Sequence, residues 1–283
     1  MKSLLLAAAL AAAPAAKSPA PIDIRSETLT VEHGKRRAVF AGGVVATRGD
    51  LTLECPEVVA TYDAQSQVRE VTCVGAITAN QGERRMTAQR GVFDNATGLL
   101  TLEGEPTLTE GDRRLVGERL IYDANLAKAE LTNVQGELPA AEAPNLPGAA
   151  GRGPLRVSAA TVTHDFAGQR TVFSGGVTAT RGDLVLRAPR LTASYDDEGQ
   201  LAGAMTSGGD VTVRQRDRRG QAKRAVFTAG ARTLVLQGEP QITEGASSLT
   251  GTKVTFLLGQ DRVEVEKPRA VFPLGAALPG RSP

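Results

Sequence analysis

Two stretches of this chain, about 130 residues apart, carry nearly the same sequence. Val39 to Asp63 reads VFAGGVVATRGDLTLECPEVVATYD, and Val172 to Asp196 reads VFSGGVTATRGDLVLRAPRLTASYD, with 16 of the 25 positions identical. A later stretch also returns, since LLTLEGEPTLTEG from Leu99 is matched by TLVLQGEPQITEG from Thr233. The spacing is longer than the period of common short solenoid repeats. The chain is therefore predicted to contain two copies of one module.

Within each copy, apolar and polar residues alternate in short runs. Residues 28–31, 51–53 and 211–213 show this period of two, which places one row of side chains on a dry face and the other in water. Turn-forming residues such as Gly42-Gly43 and Arg48-Gly49-Asp50 separate the runs at the spacing typical of all-β folds. The pattern predicts an all-β fold with almost no helix.

Composition indicates where the modules begin and end. The first residues contain one Lys, an apolar run from Leu4 to Ala13 and a small-residue site at Ala13-Pro14-Ala15, as in a secretory signal peptide. A stretch rich in Pro, Gly and Ala lies between the copies, and is typical of a linker. The expected order is a signal peptide, a first module, a linker, a second module and a disordered tail, at 1–15, 21–135, 136–153, 154–272 and 273–283.

Charge and composition argue against several classes of function. The formal net charge is +2, and the chain has no Trp, three Tyr and seven Phe, so no nucleic-acid partner is expected. The two His and two Cys lack metal-ligand spacing, so neither a metal nor a cofactor is predicted. Repeated acidic residues such as Asp50 and Asp183 adjoin Gly, where Asp caps turns. No catalytic residue is predicted, and the chain is not expected to be an enzyme.

Cys55 and Cys73 flank a predicted hairpin whose turn is Tyr62 to Ser66. Each is in phase with apolar residues of its own strand, so both thiols are expected on one apolar face. In an oxidising compartment they could form a disulfide. The alternative is two small buried apolar side chains, because the second copy has Ala188 and Thr206 at these positions. Both readings stay open.

Two longer strings resemble a known family. The stretch from Pro21 to Asp63, with its AxFxGxVxxxxGDxxLxxxxxxxxYD core, resembles the opening of OstA-like domains, the periplasmic module of lipopolysaccharide transport. RGVFDNATGLLTLEGEPTLTEGDRRLVGERLIYD from Arg90 to Asp123 resembles the repeating strand-turn units of that family. The resemblance covers the first module well. It covers 153–271 less well, because FLLGQDRVEVEK replaces the expected Tyr-Asp ending.

The resemblance implies two tandem open β-jellyroll modules, each a V-shaped trough of antiparallel strands with an apolar interior. Family members carry lipopolysaccharide acyl chains in such troughs and stack end to end between the inner and outer membranes. The expected function is therefore non-enzymatic lipid transfer in the periplasm. The implied partners are lipopolysaccharide, the inner-membrane and outer-membrane transport proteins of the same pathway, and further copies of the chain in head-to-tail self-association.

The resemblance also indicates which residues would touch lipid. Ile22 and Ile24 rank first, because the first strand lines the trough mouth in the family, and Phe93 follows. Inward aliphatic side chains also form the core of any β-sandwich, so a purely structural role stays open. The residues expected to bind lipid are Ile22, Ile24, Leu29, Leu51, Leu53, Phe93, Leu100, Leu102, Leu155, Val157 and Phe227. The first module is expected to dock its strand around Arg119 to Tyr122 on Leu155 to Val157, which would give one double-length trough.

The alternative function is a secreted β-helix-like polysaccharide-binding protein or enzyme. Short strands at regular spacing suit a β-helix as well. A carbohydrate enzyme would need a pair of carboxylates and aromatic platforms for sugars, and the sequence offers little of either. Lipid transfer is therefore the preferred prediction.

Overall fold

The computed structural model describes residues 21–123, 125–138, 153–258, 260 and 262–273. In this part of the chain the backbone forms 24 β-strands and one 3-10 turn at His33–Lys35. All strand pairings are antiparallel, and they join the strands into one continuous sheet. The predicted all-β fold class is confirmed. The expected signal peptide lies outside the described residues.

The second module follows the strand order of the first, although some strands are continuous in one module and divided in the other. The first module contains β1 (Asp23–Arg25), β2 (Thr28–Glu32), β3 (Arg37–Arg48), β4 (Leu51–Tyr62), β5 (Val68–Gln81), β6 (Arg84–Asp94), β7 (Leu99–Glu103), β8 (Thr107–Glu110), β9 (Arg113–Val116), β10 (Arg119–Asp123) and β11 (Lys128–Leu138). The second contains β12 (Leu155–Asp165), β13 (Arg170–Arg181), β14 (Leu184–Tyr195), β15 (Leu201–Ser207), β16 (Val211–Gln215), β17 (Arg218–Ala222), β18 (Arg224–Thr228), β19 (Thr233–Gln237), β20 (Gln241–Glu244), β21 (Ser247–Thr250), β22 (Lys253–Leu257), β23 (Arg262–Glu266) and β24 (Arg269–Val271).

Bulges interrupt the long strands near their middles. The register shifts there in the pairings of β3 with β4, β4 with β5, β5 with β6, β12 with β13 and β13 with β14. Gly42 and Gly175 lie in these shifts with φ of +87° and +80°, a left-handed conformation that glycine adopts without strain. A Cβ on Gly175 would stand 2.6 Å from the Cβ of Ala160. Gly42-Gly43 was expected to be a turn between strands but is a bulge inside β3. The bulges of neighbouring strands form a row across the sheet, which we call the fold line.

The fold line divides the sheet into two arms. Arm A contains β1, β8, β9, β16, β17, β20, β21 and β24, and arm B contains β2, β7, β10, β15, β18, β19, β22 and β23. Each long strand contributes one half to each arm, as when β6 pairs with β7 on one side of the fold line and β8 on the other. The arms face each other as a V. The strand ends farthest from the fold line form its open edge, which we call the rim.

The two modules share one sheet through β11 and β12. These strands pair along their whole lengths, from Lys128 opposite Asp165 to Leu138 opposite Leu155. The expected joint was wrong in one respect, because β10 (Arg119–Asp123) pairs with β7 and β11 rather than with the second module. The strand that docks on Val157 is β11, whose last three residues, 136–138, were assigned to the linker. Burial alternates through Val134, Gly136 and Leu138, but Gly136 has no side chain to reveal this pattern.

The apolar core follows the sheet across this joint. A single cluster of buried residues runs from Val44 in β3 to Ala179 in β13, and a second cluster lies in the later strands, from Ala188 to Val254. Leu186 packs against both clusters. The described chain therefore has one trough interior that spans both modules.

Placing proline at Val157 should uncouple the modules. Val157 is buried in β12 between Gly136 of β11 and Ala179 of β13, and proline lacks the N–H that a central strand needs. Losing a ladder bond and the buried valine should lower the free energy of unfolding by about 2–4 kcal/mol. Val263→Pro is the matched control, because β23 pairs on one side only within the described residues.

Urea denaturation and small-angle scattering check this expectation. The scattering profile of Val157→Pro should show a less extended, more flexible particle, whereas Val263→Pro should scatter like the parent. Identical profiles and equal stabilities for the two variants would contradict the strand joint.

Candidate functional site

The space between the arms is the candidate functional site. Inward side chains from both arms are apolar, and in the first module they are tightly packed. A cavity between Ile22, Leu53 and Phe93 has a volume of only about 10 Å³. Another, at the module joint between Leu115 and Phe173, measures about 30 Å³. A single water molecule needs roughly 10–15 Å³ of such space, so neither cavity holds an acyl chain while the arms stand as they do here.

The interior remains uncovered at its N-terminal end. Leu29 lies opposite Phe40, which packs against the core, and Val31 lies opposite buried Ala38. Residues directly opposite in an antiparallel pair share a face of the sheet, so both side chains belong to the interior face. Leu29 is nevertheless 55% exposed and Val31 49% exposed, because among the described residues no strand lies beyond β2.

The C-terminal end is similar. Val263 in β23 lies opposite Phe256, which packs against the second core cluster. Val263 is exposed, as are Val271 and Phe272 at the end of the other arm. The described trough thus presents apolar side chains at both of its ends.

Several side-chain contacts join the arms at the rim in the described residues. The guanidinium of Arg48 lies 5.2 Å from the ring centre of Phe93. Those of Arg84 and Arg113 lie 3.7 and 4.4 Å from the rings of Phe166 and Tyr195. The Tyr122 hydroxyl also donates a hydrogen bond to the side-chain carbonyl of Gln81, and Arg113 donates one to the backbone oxygen of Gly199. In each, one partner lies on arm A and the other on arm B, so we call these the cross-arm contacts.

The cross-arm contacts of Arg84 and Arg113 also join the modules. Arg84 and Arg113 belong to the first module, whereas the rings that they cover belong to the second. Glu110 binds both arginines, with its Oε1 3.1 Å from Arg84 Nε and its Oε2 3.7 Å from Arg113 Nη1. A cation over a ring contributes about 0.5–1 kcal/mol when exposed and about 2 kcal/mol when desolvated. The rim at the joint is therefore held by charge and ring contacts as well as by backbone pairing.

His164 is buried beside this group. Its Nδ1 lies 2.7 Å from the hydroxyl of Thr171, and its ring meets the edge of Phe166 with centres 4.3 Å apart. Burial lowers the pKa of His164 from 6.5 to about 4, and the nearby Arg84 and Arg113 also disfavour its protonation. His164 is consequently neutral at neutral pH and acts as a packed polar side chain.

Comparison with known families identifies this architecture. The family described as LptA/(LptD N-terminal domain) LPS transport protein matches residues 23–128 and 156–262, one segment in each module. The chain belongs to the LptA/LptD N-terminal domain family. The OstA-like resemblance predicted from the repeated strings is confirmed, as is the architecture of two tandem open jellyroll modules.

Individual proteins are more distant. The crystal structure of LptH from Pseudomonas aeruginosa, described as the LptA-homologous periplasmic component of a lipopolysaccharide transport device, shares 20% sequence identity. The match covers 37% of this chain and 76% of that chain, with a TM-score of 0.34. A comparison with curated protein sequences finds no match.

The eleven residues expected to bind lipid in this family member fall into three groups. The exposed one is Leu29. The partly exposed ones are Ile22, Ile24, Leu155 and Phe227. The buried ones are Leu51, Leu53, Phe93, Leu100, Leu102 and Val157. All eleven lie on the interior side of the sheet, but the buried group is packed as core when the arms are closed.

The sequence did not predict the cross-arm contacts. Arg84 and Arg113 begin strands β6 and β9 of the first module. Their partners Phe166 and Tyr195 lie more than 80 residues further along the chain. One sequence feature could have indicated these contacts. Each arginine begins a strand and each ring lies at or just after a strand end, and these strand ends meet at the rim.

Cys55 and Cys73 lie in the same core cluster and are both buried. They are free thiols, and the Sγ of Cys55 lies 3.3 Å from the backbone oxygen of Glu57. A hydrogen bond between the two thiols lowers the pKa of Cys55 and raises that of Cys73, which burial raises further. Their disulfide stays a prediction.

Neither a metal site nor a membrane-spanning helix occurs in the described residues. No group of three His, Cys, Asp or Glu side chains there could hold a metal ion. No helix in that part of the chain has the length and apolar character to cross a membrane. Asp63 caps its own turn by accepting hydrogen bonds from the N–H groups of Gln65 and Gln67. Asp50 and Asp183 were expected to do the same, but they accept hydrogen bonds from the side chains of Gln81 and Arg216.

Proposed function

We propose that this protein shields lipopolysaccharide acyl chains from water inside its apolar trough. The observation that carries the proposal is the largely apolar interior shared by two modules. It is uncovered at both described ends, in a chain of a lipopolysaccharide transport family. An acyl chain of a dozen carbons exposed to water costs about 10 kcal/mol, at about 0.8 kcal/mol per methylene. An apolar trough lowers that cost without catalysing a reaction, so the proposed role is non-enzymatic.

We further propose that the protein acts in the periplasm as part of a bridge between the inner and outer membranes. The secretory-type sequence at 1–15 supports export, and LptH is described as a periplasmic component. The partners would be lipopolysaccharide and the inner- and outer-membrane transport proteins of the same pathway. Strand addition at an unpaired sheet edge is the means of docking.

Both ends of the described sheet offer such edges. In the described residues β1 and β2 pair only with β3, β23 pairs only with β22, and β24 pairs only with β21. Unpaired backbone groups on an edge strand accept another strand. Head-to-tail association of copies, or docking of a membrane-bound partner, would use the joint that already links β11 to β12 within the chain.

Photo-crosslinking at the N-terminal end tests the shielding role. A photo-reactive residue at Ile22 or Ile24 is expected to capture lipopolysaccharide, because both side chains lie on the interior face at the open end. The same residue at Glu32 or Asp63 should capture none, since these positions lie at the rim in charged or turn surroundings. Capture would be measured by immunoblotting for lipopolysaccharide after irradiation in cells. Equal capture at all four positions, or at none, would remove the proposal.

A further inference from the structure

The two modules differ in how closed their interiors are. Equivalent interior positions can be compared because the modules are copies of one sequence. In the first module, Leu53, Phe93, Leu108 and Tyr122 are all buried. Their equivalents in the second module are all partly exposed, and these are Leu186, Phe227, Ile242 and Phe256. At these four positions the side chains are of similar type in both modules, and they are less covered in the second.

The rim residues explain part of this difference. Arg113, which covers the Tyr195 ring, is replaced at the equivalent position of the second module by Ser247. Tyr122, whose hydroxyl bonds to Gln81, is replaced by Phe256, which has no hydroxyl. Neither serine nor phenylalanine can make the corresponding contact. The cross-arm contacts that Arg113 and Tyr122 make therefore have no chemical equivalent at these positions of the second module.

We infer that lipid acyl chains enter this trough through the second module, where Leu186, Phe227, Ile242 and Phe256 form the first apolar surface that they meet. The first module is a latched continuation of the same trough, and it admits chains only after its cross-arm contacts separate. The inference rests on the proposed function, because it takes acyl chains as the cargo. It adds where they bind first and which residues keep the rest of the trough shut.

Aligned aromatic positions provide a matched test inside one chain. The photo-reactive residue p-azidophenylalanine replaces Phe227 or Phe256 in the second module, and Phe93 or Tyr122 in the first. Each purified variant is mixed with lipid A, the acylated and phosphorylated anchor of lipopolysaccharide, and is irradiated. If the closed module opens in about one molecule in ten, capture at Phe227 and Phe256 should exceed capture at Phe93 and Tyr122 about tenfold.

Opening the rim should remove that difference. Arg84→Gln combined with Arg113→Gln removes both guanidinium groups that cover rings across the joint. In this background, capture at Tyr122 should rise toward the level at Phe256. Unchanged capture at Tyr122 would overturn the latch.

Hydrogen–deuterium exchange of the unsubstituted protein tests the same inference without any substitution, so it remains informative if a variant fails to fold. Lipid A should slow exchange in β14, β18 and β22 more than in β4, β6 and β10. Equal or stronger effects in the first module, by capture or by exchange, would overturn the inference while leaving the proposed function intact. No capture at any position and no change in exchange would overturn the proposed function itself.

Discussion

Replacing Leu102 by alanine should lower the free energy of unfolding by about 2–5 kcal/mol. Leu102 is fully buried in β7, between Gly91 of β6 and Leu120 of β10. One of its methyl carbons stands 3.0 Å from where a Cβ on Gly91 would lie, so the glycine has no side chain to fill the space that truncation leaves. Urea denaturation followed by circular dichroism measures the loss.

Leu29→Ala is the matched control for this prediction. Leu29 was predicted to face the same trough, yet it is 55% exposed at the open end, so its truncation should change stability by no more than about 0.5 kcal/mol. Capture of lipid at Ile24, which lies at the same end of the trough on the other arm, should fall instead. Small and equal losses of stability at both positions would mean that Leu102 is not part of a packed core. The pair thus separates interior residues that hold the fold from those available to cargo.

The second large effect concerns acidity. Stability should fall by about 3 kcal/mol as the pH drops from 6.5 toward 4, because of His164 alone. The unfolded chain binds a proton at this histidine near pH 6.5, whereas burial keeps the folded pKa near 4. Within that window the unfolded state holds more protons than the folded state, so acid favours unfolding. Above pH 6.5 both states are neutral and the contribution is fully present.

His164→Asn isolates this contribution. Asparagine keeps a polar partner for the hydroxyl of Thr171, which lies 2.7 Å from His164 Nδ1, but it does not titrate. The difference in stability between parent and variant should shrink as the pH falls from 6.5 to 4. His33→Asn, at an exposed position, should leave the profile unchanged. A parent profile that runs parallel to that of His164→Asn across the window would refute the assignment.

The sequence predicted the features that repetition and alternation encode. Val39 to Asp63 and its copy predicted two modules, and the period of two predicted strands with one apolar face. These patterns are local, so they are visible without knowledge of which strands meet. The family strings then predicted the open jellyroll, and the family match confirms it.

Features that depend on distant contacts were predicted less well. Gly42-Gly43 gives the same turn signal whether a strand ends there or only bends, because both need left-handed backbone. The joint was assigned to Arg119–Tyr122, but the strand that pairs with β12 is β11, which ends at Leu138. Gly136 and the Pro-rich stretch that follows make this strand look shorter in the sequence than it is. The pairing of Arg84 with Phe166 joins different modules, and no local pattern connects them.

The fold line determines how this trough can widen. In an antiparallel sheet the backbone hydrogen bonds run across the strands, which here means along the length of the trough. The long strands run through both arms, so moving the arms apart bends each of these strands at its bulge and leaves its ladder bonds in place. Only side-chain contacts at the rim and in the interior must separate. The two arms can therefore open about the fold line. The resistance to opening comes from the arginine and tyrosine contacts at the rim and from the packed leucines of the interior, and not from backbone hydrogen bonds.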